Sequence, residues 1–289
     1  MRYEGRIFRP PSEAYSLIVQ ATVGCSHNGC VFCDMYKEKS FHMRPLEEVL
    51  ADLEQARGQY RRIDKIFIAD GDALVLPMAR WEAILTTIST LYPECKTVTA
   101  YASHKSIGTK TDNELRQLAQ WGLSMVYTGL ESGSDTVLQL MNKGATAGQI
   151  VDAGRRVVEA GIRLSVTAIS GLGGQELWPE HARETARALS AMGPHYIGLL
   201  TLMLEGQAPI VHWVRDGRFK LLSPNDVLQE TRLMVEGIDA PGAVFRSNHA
   251  SNYLTLRGTF NEDRAALLAP IDSALRGDTA LPGEHWPPL

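Results

Sequence analysis

The chain has 289 residues, 44% of them hydrophobic, which is enough apolar material to bury a large core in one barrel-like domain or two smaller ones. Its 29 basic and 33 acidic side chains give a net charge of −4. The chain has no block of like charges of the kind that would indicate a nucleic-acid surface. Residues 1–13 lack an apolar leader segment, and the longest strongly apolar run, 196–204, is too short to span a bilayer. We therefore expect a cytoplasmic protein with no membrane partner.

Short apolar or β-branched runs alternate with stretches of helical spacing, which predicts six strand–helix units and a parallel sheet. Two of the intervening helices begin with a capping box, Thr111 with Glu114 and Thr146 with Gln149. The fold class predicted is therefore α/β. The predicted strands lie at 16–23, 65–69, 97–102, 124–128, 163–169 and 195–200.

The alternation stops after residue 205, where Pro224 predicts a helix start and a short run near Val244 predicts a strand. Apolar residues from Leu267 to Leu275 at helical spacing predict a last amphipathic helix. We expect an N-terminal extension over 1–15, a core barrel over 16–205, and a C-terminal segment over 206–289 that closes the barrel and lines the substrate site. The proline-bearing stretch from Asp278 predicts a loosely ordered end.

Polar or small side chains follow each of the six predicted strands. In parallel strand–helix folds the reactive groups collect at the carboxyl ends of the strands, so these side chains are expected at one rim. In strand order they are Cys25, Cys30 and Cys33; Asp70, Gly71 and Asp72; Ser103 and His104; Glu131 and Ser132; Ser170 and Gly171; and Glu205 and Gly206.

Three of the four cysteines, Cys25, Cys30 and Cys33, lie within nine residues. That spacing suits one metal centre better than a disulfide framework, and it favours a reducing compartment. Thiolates are the ligands of iron–sulfur clusters, and three of them on one short loop hold three irons while a fourth iron stays open.

Two other metal centres have to be weighed. Zinc is one, because His27 and His42 are nearby, but these histidines lack the paired spacing of a structural zinc site. A plant-type [2Fe–2S] centre is the other, since it has this same spacing followed by a distant fourth cysteine. Cys95 is the candidate for that fourth ligand, but it precedes the third strand and is expected at the opposite rim, as a buried small side chain.

The segment 24–37 resembles the cluster loop of the radical S-adenosylmethionine (SAM) superfamily, especially small members near the oxygen-independent coproporphyrinogen dehydrogenases and the tRNA-modifying branch. The resemblance covers 16–204 and implies a partial (β/α)6 TIM-like barrel. It also implies a [4Fe–4S] cluster on Cys25, Cys30 and Cys33, with SAM on the fourth iron. The loop has four residues between its first two cysteines where the usual loop has three, which bears on the subfamily rather than on the chemistry.

The same resemblance implies that further residues bind SAM. A carboxylate suits the ribose because it accepts from both hydroxyls, and a basic residue suits the SAM carboxylate. Each position also has a plain structural explanation, which is local packing, a tight turn, capping or simple solvation. The implied contacts are Phe32 and the Ser170 turn beside adenine, the turn of Asp70, Gly71 and Asp72 at the SAM amino group, Glu131 at the ribose, and Lys143 at the carboxylate.

The segment 246–253 concentrates hydrogen-bonding side chains, as a substrate pocket requires. Arg246 and His249 are its candidates for catalytic residues, and a turn-rich surface loop is the alternative. Glu205 and His212 are weaker candidates of the same kind.

The resemblance implies an enzyme that cleaves SAM reductively and abstracts a hydrogen atom from a substrate, here expected to be a small molecule. An electron donor such as ferredoxin or flavodoxin would reduce the cluster. Two alternatives stay open. One is an oxidoreductase like the coproporphyrinogen dehydrogenases, for which we expect a larger substrate-covering region than 206–289. The other is an iron–sulfur electron carrier or redox sensor without SAM chemistry.

Overall fold

The computed structural model describes residues 1–279 and 281. Each predicted strand corresponds to observed strand structure, and the first is divided in two at Ala21. The strands are β1 (Leu17–Gln20), β2 (Thr22–Val23), β3 (His42–Met43), β4 (Lys65–Ala69), β5 (Thr97–Tyr101), β6 (Leu123–Glu131), β7 (Arg163–Ser170), β8 (Tyr196–Thr201), β9 (Val244–Ser247) and β10 (Leu256–Thr259). The α-helices are α1 (Leu46–Gln59), α2 (Met78–Leu91), α3 (His104–Gly108), α4 (Asp112–Gln120), α5 (Asp135–Leu140), α6 (Ala147–Glu159), α7 (Gly174–Met192), α8 (Pro209–Arg215), α9 (Pro224–Gly237) and α10 (Arg264–Leu275).

Eight of these strands form one sheet in the order β1-β4-β5-β6-β7-β8-β9-β10, while β2 and β3 form a separate antiparallel pair. The pairs β1–β4, β4–β5, β5–β6, β7–β8 and β8–β9 are parallel, and β9–β10 is antiparallel. Parallel neighbours need a long crossover, which is why helices separate them along the chain. The predicted α/β class with a mostly parallel sheet is confirmed.

The described chain divides into two compact units, each built from separate stretches of sequence. The first comprises Met1–Asn28, Met35–Thr128 and Arg156–Leu164; the second comprises Gly29–Asp34, Gly129–Arg155 and the described residues from Ser165 onward. The division predicted at residues 15 and 205 stays a prediction.

In the first unit, helical spacing in the sequence becomes a buried helix face. Trp81, Ile84, Leu85 and Ile88 of α2 are all buried, as their spacing predicts. Aromatic rings pack edge to face in the same unit, with Phe67 and Tyr101 centred 5.1 Å apart and Tyr101 and Tyr127 centred 6.0 Å apart.

In the second unit, the side chains of β7 alternate strictly between buried and half-buried positions. Val166 and Ala168 are buried, whereas Thr167 and Ile169 between and beyond them are partly accessible. Such alternation is typical of a strand that has one face packed against helices. The other face of β7 is therefore available to other groups.

The C-terminal elements follow the predicted positions, with α9 beginning at Pro224, β9 at Val244 and α10 spanning the apolar positions near Leu267. Most of the stretch expected to be loosely ordered, from Asp278, lies outside the described residues. In the described part of the chain, no helix combines the length and the apolar character needed to cross a membrane.

Gly133 brings the loop after β6 against the backbone of α7. A Cβ at this position would lie 2.1 Å from the carbonyl oxygen of Glu184 and 2.5 Å from the amide nitrogen of Thr185. The Gly133 amide also donates a hydrogen bond to Thr185 Oγ1 at 2.9 Å. Any side chain here would push the loop and the helix apart.

We predict that Gly133→Ala lowers the free energy of unfolding by about 2–3 kcal/mol, because the added methyl group forces backbone to move. Gly148→Ala is the matched control, since its Cβ would meet only Thr146 Oγ1, at 3.9 Å. Placed within α6, this control should leave stability unchanged or raise it by up to about 1 kcal/mol. Urea denaturation of both variants measures the difference, and equal stability of Gly133→Ala and wild type would contradict the close approach.

Candidate functional site

Cys25 follows β2 in the first unit and lies directly against the turn after β4. A Cβ built on Gly71 would stand 3.2 Å from Cys25 Cβ and 2.7 Å from the ring of Tyr36. Glycine therefore allows the backbone of this turn to approach the cysteine closely. The predicted neighbourhood of the first cysteine and the turn at 70–72 is present within this unit.

The side chain of Asp70 holds the chain just before Cys25. It is fully buried, and its Oδ2 accepts hydrogen bonds from Gln20 Nε2 at 2.9 Å and from the Gly24 amide at 3.1 Å. Lys39 Nζ lies 2.7 Å from the same oxygen. A buried carboxylate needs such charged and polar partners. Asp70 thus fixes the entry to the cysteine loop through this chain's own donors.

Asp72 connects the same loop to the end of β5. Its carboxylate accepts a short hydrogen bond from Ser26 Oγ, and it accepts from the Ser103 amide at 3.0 Å and from Ser103 Oγ at 2.7 Å. Ser103 also caps α3. Asp72 is thus engaged by donors of this chain, whereas Asp70 Oδ1 is buried without a hydrogen-bond partner among the described residues. The contact between the turn at 70–72 and SAM stays a prediction, for its backbone and for its side chains.

Cys30 and Cys33 belong to the second unit, where backbone hydrogen bonds anchor the residues around them. The Val31 amide donates to Met141 O at 3.0 Å, and Val31 O accepts from the Ile210 amide at 3.1 Å. Asp34 Oδ1 accepts from the Gln207 amide at 2.8 Å. Phe32 is half-buried and packs against an apolar cluster that includes Val31, Val137, Met141, Leu172, Ala208, Ile210 and Phe219. Its adenine contact stays a prediction.

The donor chemistry of the loop fits an iron–sulfur cluster. Cys25, Cys30 and Cys33 are half-buried and form no disulfide. Thiolates of this kind are the ligands that such clusters use. Among the residues that the structure describes, no three His, Cys, Asp or Glu side chains are grouped closely enough to hold a single metal ion.

Cys95 differs from the other three cysteines in place and chemistry. Cys95 precedes the amino end of β5, whereas Cys25 lies at the carboxyl ends of the parallel strands of the same unit. The two cysteines are therefore at opposite ends of these strands, as predicted. Cys95 is half-buried rather than fully buried, its Sγ lies 3.5 Å from Thr97 O, and burial raises the pKa of its thiol. A raised thiol pKa disfavours the thiolate that a metal ligand requires.

Glu131 and Lys143, both predicted to bind SAM, form an ion pair in the second unit. Lys143 Nζ lies 2.9 Å from Glu131 Oε1, and the two side chains are 14% and 12% exposed. Glu131 ends β6 with a φ of +63°, in the left-handed region that non-glycine residues rarely occupy. Backbone strain of this kind is concentrated at functional sites. The strained backbone and the half-buried ion pair therefore occur together at this strand end.

Ser170 ends β7 and is held by a residue that the sequence analysis missed. Glu230, in the middle of α9, is fully buried and accepts a short hydrogen bond from Ser170 Oγ and one of 2.6 Å from the Gly171 amide. Its other oxygen, Oε1, is buried without a hydrogen-bond partner in the described part of the chain. Because the Ser170 hydroxyl is engaged, the contact predicted with adenine would come from the backbone of this turn.

His181 on α7 lies next to Glu230 and is also fully buried. Its Nε2 donates to Ile169 O at 3.0 Å, which leaves Nδ1 to accept from Ser132 Oγ at 2.7 Å. The same Nε2 stands 3.9 Å from Glu230 Oε1. Burial lowers the pKa of His181 to about 4 and raises the pKa of Glu230 to about 7. The only signal in the sequence was a polar residue on the apolar face of each helix.

These two pKa shifts make opposite contributions to stability. Glu230, raised from 4.5, contributes stability that is present at low pH and is lost as pH rises through about 7. His181, lowered from 6.5, contributes stability that is present at high pH and is lost as pH falls through about 4. Between pH 4.5 and 6.5, the ordinary pKa values of the two groups, the two contributions to the free energy of unfolding offset each other.

We predict that Glu230→Gln removes the loss of stability that Glu230 causes as pH rises and leaves the gain that His181 causes. Its free energy of unfolding should rise by roughly 2–3 kcal/mol, relative to wild type, as pH increases from about 4.5 to about 6.5. Glu236→Gln, an exposed change on the same helix, should keep the wild-type profile. Urea denaturation of the apoprotein across this pH range measures the effect. Superimposable profiles for Glu230→Gln and wild type would rule out the assigned titration.

The C-terminal candidates lie on and after β9. Arg246 is exposed, and its Nη1 donates to Phe245 O at 2.7 Å. His249 is half-buried, and its Nδ1 accepts from the Ser251 amide at 3.1 Å. Nδ1 therefore acts as an acceptor, which leaves Nε2 as the nitrogen that can donate. The weaker candidates Glu205 and His212 are both exposed.

Asn252 attaches this segment to the sheet. Its Nδ2 donates to Leu199 O at 2.9 Å, and its Oδ1 accepts from Thr201 Oγ1 at 3.0 Å. Both partners belong to β8. The turn that carries His249 is thus fixed against a central strand, while the catalytic roles of His249 and Arg246 stay predictions.

Comparison with known proteins identifies the family. The radical SAM superfamily model matches residues 19–189, more than half of the chain. The heme chaperone HemW of Lactococcus lactis subsp. lactis (strain IL1403) is 22% identical over 202 residues, which cover 69% of this chain and 52% of that protein. The chain therefore spans about half the length of this relative.

Solved structures share the fold. Coproporphyrinogen III oxidase (HemN) from Escherichia coli, a radical SAM enzyme, matches with a TM-score of 0.57 and 18% identity over 76% of this chain and 52% of its own. Methylornithine synthase (PylB) matches with a TM-score of 0.54 and 15% identity over 93% of this chain and 74% of its own. The chain therefore belongs to the radical SAM superfamily, whose enzymes use a [4Fe–4S] cluster and S-adenosylmethionine.

Proposed function

We propose that this radical SAM enzyme holds its [4Fe–4S] cluster on Cys25, Cys30 and Cys33 and abstracts a hydrogen atom from a small-molecule substrate. The observation that carries the proposal is the ion pair of Glu131 and Lys143, 2.9 Å apart, at a strand end with strained backbone. A carboxylate and an ammonium group match the ribose hydroxyls and the carboxylate of SAM. An electron carrier without SAM chemistry has no use for such a pair.

When bound, the cluster would supply the electron for the reductive cleavage of SAM. The three thiolates would hold it, and Gly71 would let the backbone approach SAM beside Cys25. Lys143 engages Oε1 of Glu131, which leaves Oε2 as the acceptor for a ribose hydroxyl. The half-buried ring of Phe32 would exclude water from the adenine side.

A porphyrin-related activity is the second candidate. The likeness to a heme chaperone and to coproporphyrinogen III oxidase favours it, although identity is only 22% and 18%. A titration of the protein with heme, followed by absorbance, separates the two candidates. A stoichiometric shift of the Soret band would favour the porphyrin-related activity, and an unshifted band would favour another small molecule.

The electron would come from a small redox protein such as ferredoxin or flavodoxin, and a reducing cytoplasm would keep the cysteine thiols available. We propose the electron donor and the reducing compartment because the reductive cleavage of SAM requires them.

We predict that Cys30→Ala abolishes iron binding after anaerobic reconstitution, because two thiolates cannot hold the cluster. Cys95→Ala is the matched control and should retain the wild-type iron content. Electron paramagnetic resonance of the reduced wild-type protein should give a [4Fe–4S]⁺ signal that shifts when SAM is added. A [2Fe–2S] spectrum that ignores SAM, or an iron-free Cys95→Ala, would refute this cluster assignment.

We predict that Glu131→Ala weakens SAM binding about ten- to a hundredfold, because it removes a charged acceptor for the ribose hydroxyls. The iron content should stay at the wild-type level. Glu159→Ala, an exposed change at the end of α6, is the control. Equilibrium dialysis with labelled SAM measures both affinities, and wild-type affinity in Glu131→Ala would assign that residue a structural role.

A further inference from the structure

Four residues of the second unit form one row across neighbouring strands. Thr167 of β7 pairs in register with Gly198 of β8, Gly198 pairs with Arg246 of β9, and Arg246 pairs with Arg257 of β10. Residues that pair directly across strands place their side chains on the same face of a sheet. Thr167, Arg246 and Arg257 therefore share a face, which we call the arginine face.

Helices cover the opposite face of these strands. Phe245, Ser247 and Leu256, which alternate with the two arginines, are buried, and α9 side chains such as Leu228 line the same cleft as Ser247 and Leu256. Both arginines are exposed. The arginine face is thus the face of β9 and β10 that α9 leaves uncovered.

The two arginines carry positive charge at directly opposed positions. Like charges opposite each other in an antiparallel pair destabilise a sheet. Within residues 1–279 and 281, neither guanidinium forms an ion pair, and the only hydrogen bond of either goes from Arg246 to the backbone oxygen Phe245 O. No carboxylate in the part of the chain that the structure describes therefore offsets the repulsion between them.

Protection of a sheet edge explains the charge of Arg257 but not that of Arg246. β10 is the last strand of the sheet, and edge strands often carry a charge that discourages pairing with other chains. Arg257 would satisfy that need by itself. Arg246 lies on the strand inside the edge, directly opposite, where a second positive charge adds repulsion and no protection.

Gly198 leaves space beside Arg246. A Cβ on Gly198 would meet nothing nearer than Thr167 Oγ1 and Val166 O, both at 3.9 Å. The row thus consists of a hydroxyl group, an open position above the glycine backbone, and two guanidinium groups. Guanidinium groups bind carboxylate and phosphate in a bidentate manner, and a hydroxyl adds a further donor.

We propose that Arg246, Arg257 and Thr167 form a binding site for an oxyanion, a carboxylate or phosphate group of the substrate, above Gly198. The assignment of this anion to the substrate rests on the proposed function. The site makes the substrate an acidic small molecule, and the bound anion neutralises the opposed arginines.

Isothermal titration of the apoprotein with inorganic phosphate and, separately, with malonate tests the site without any cluster. Wild type should bind one of them at one site, and the stronger of the two identifies the group as phosphate or carboxylate. Arg246→Gln and Arg257→Gln should each weaken binding about tenfold or more, and the double variant should not bind. Arg183→Gln is the matched control, because Arg183 is exposed on α7 and donates only to a backbone oxygen.

Two further variants keep the test independent of folding defects. Gly198→Val fills the open position with a residue that favours strands, so it should lose anion binding while unfolding cooperatively like wild type. Arg257→Gln should have a higher Tm than wild type without anion, since it removes the repulsion. No binding by wild type, or equal binding by wild type and the double arginine variant, would overturn the site. Such a result would leave SAM cleavage, and hence the proposed function, untouched.

Discussion

In the first unit, the cysteine loop depends on the hydrogen bonds and the ion pair that the buried carboxylate of Asp70 forms. A buried carboxylate needs hydrogen-bond donors, and here Gln20, the Gly24 amide and Lys39 all donate to Oδ2, while Oδ1 has no hydrogen-bond partner among the described residues. These donors come from β1, from the residue before Cys25 and from the segment after the loop. The contacts of this one carboxylate therefore fix the backbone on both sides of the loop in this unit. Asp72 extends the same constraint to Ser26 and to Ser103, after β5.

Glu230 holds a strand-end turn in the second unit by hydrogen bonds. It reaches from α9 to the turn after β7, so a helix of the C-terminal segment holds the turn expected beside adenine. His181 beside it stays neutral because burial lowers its pKa. Buried carboxylates on separate elements thus hold the backbone near strand ends in both units. In contrast, the side chains of Glu131 and Lys143 are partly exposed.

Patterns confined to one stretch of sequence were predictable. The strand at 65–69 matches β4 residue for residue, and the capping boxes at Thr111 and Thr146 form as expected, because each depends on local spacing. Side-chain direction was not predictable, since the donors that turn Asp70 inward come from residues distant in sequence. Glu230 and His181 gave only the weak signal of a polar residue on an apolar helix face. The pairing of Arg246 with Arg257 depends on the antiparallel register of β9 and β10. The alternating pattern of strands and helices does not predict that register.

We propose that the three-cysteine loop makes this chain a SAM-cleaving enzyme. The most direct test is to quantify 5′-deoxyadenosine by chromatography after the anaerobically reconstituted protein is incubated with SAM and dithionite. We predict that wild type and Cys95→Ala release 5′-deoxyadenosine at comparable rates and that Cys33→Ala releases none. Wild-type protein with a full complement of iron that forms no 5′-deoxyadenosine, or Cys33→Ala that forms as much as wild type, would contradict it.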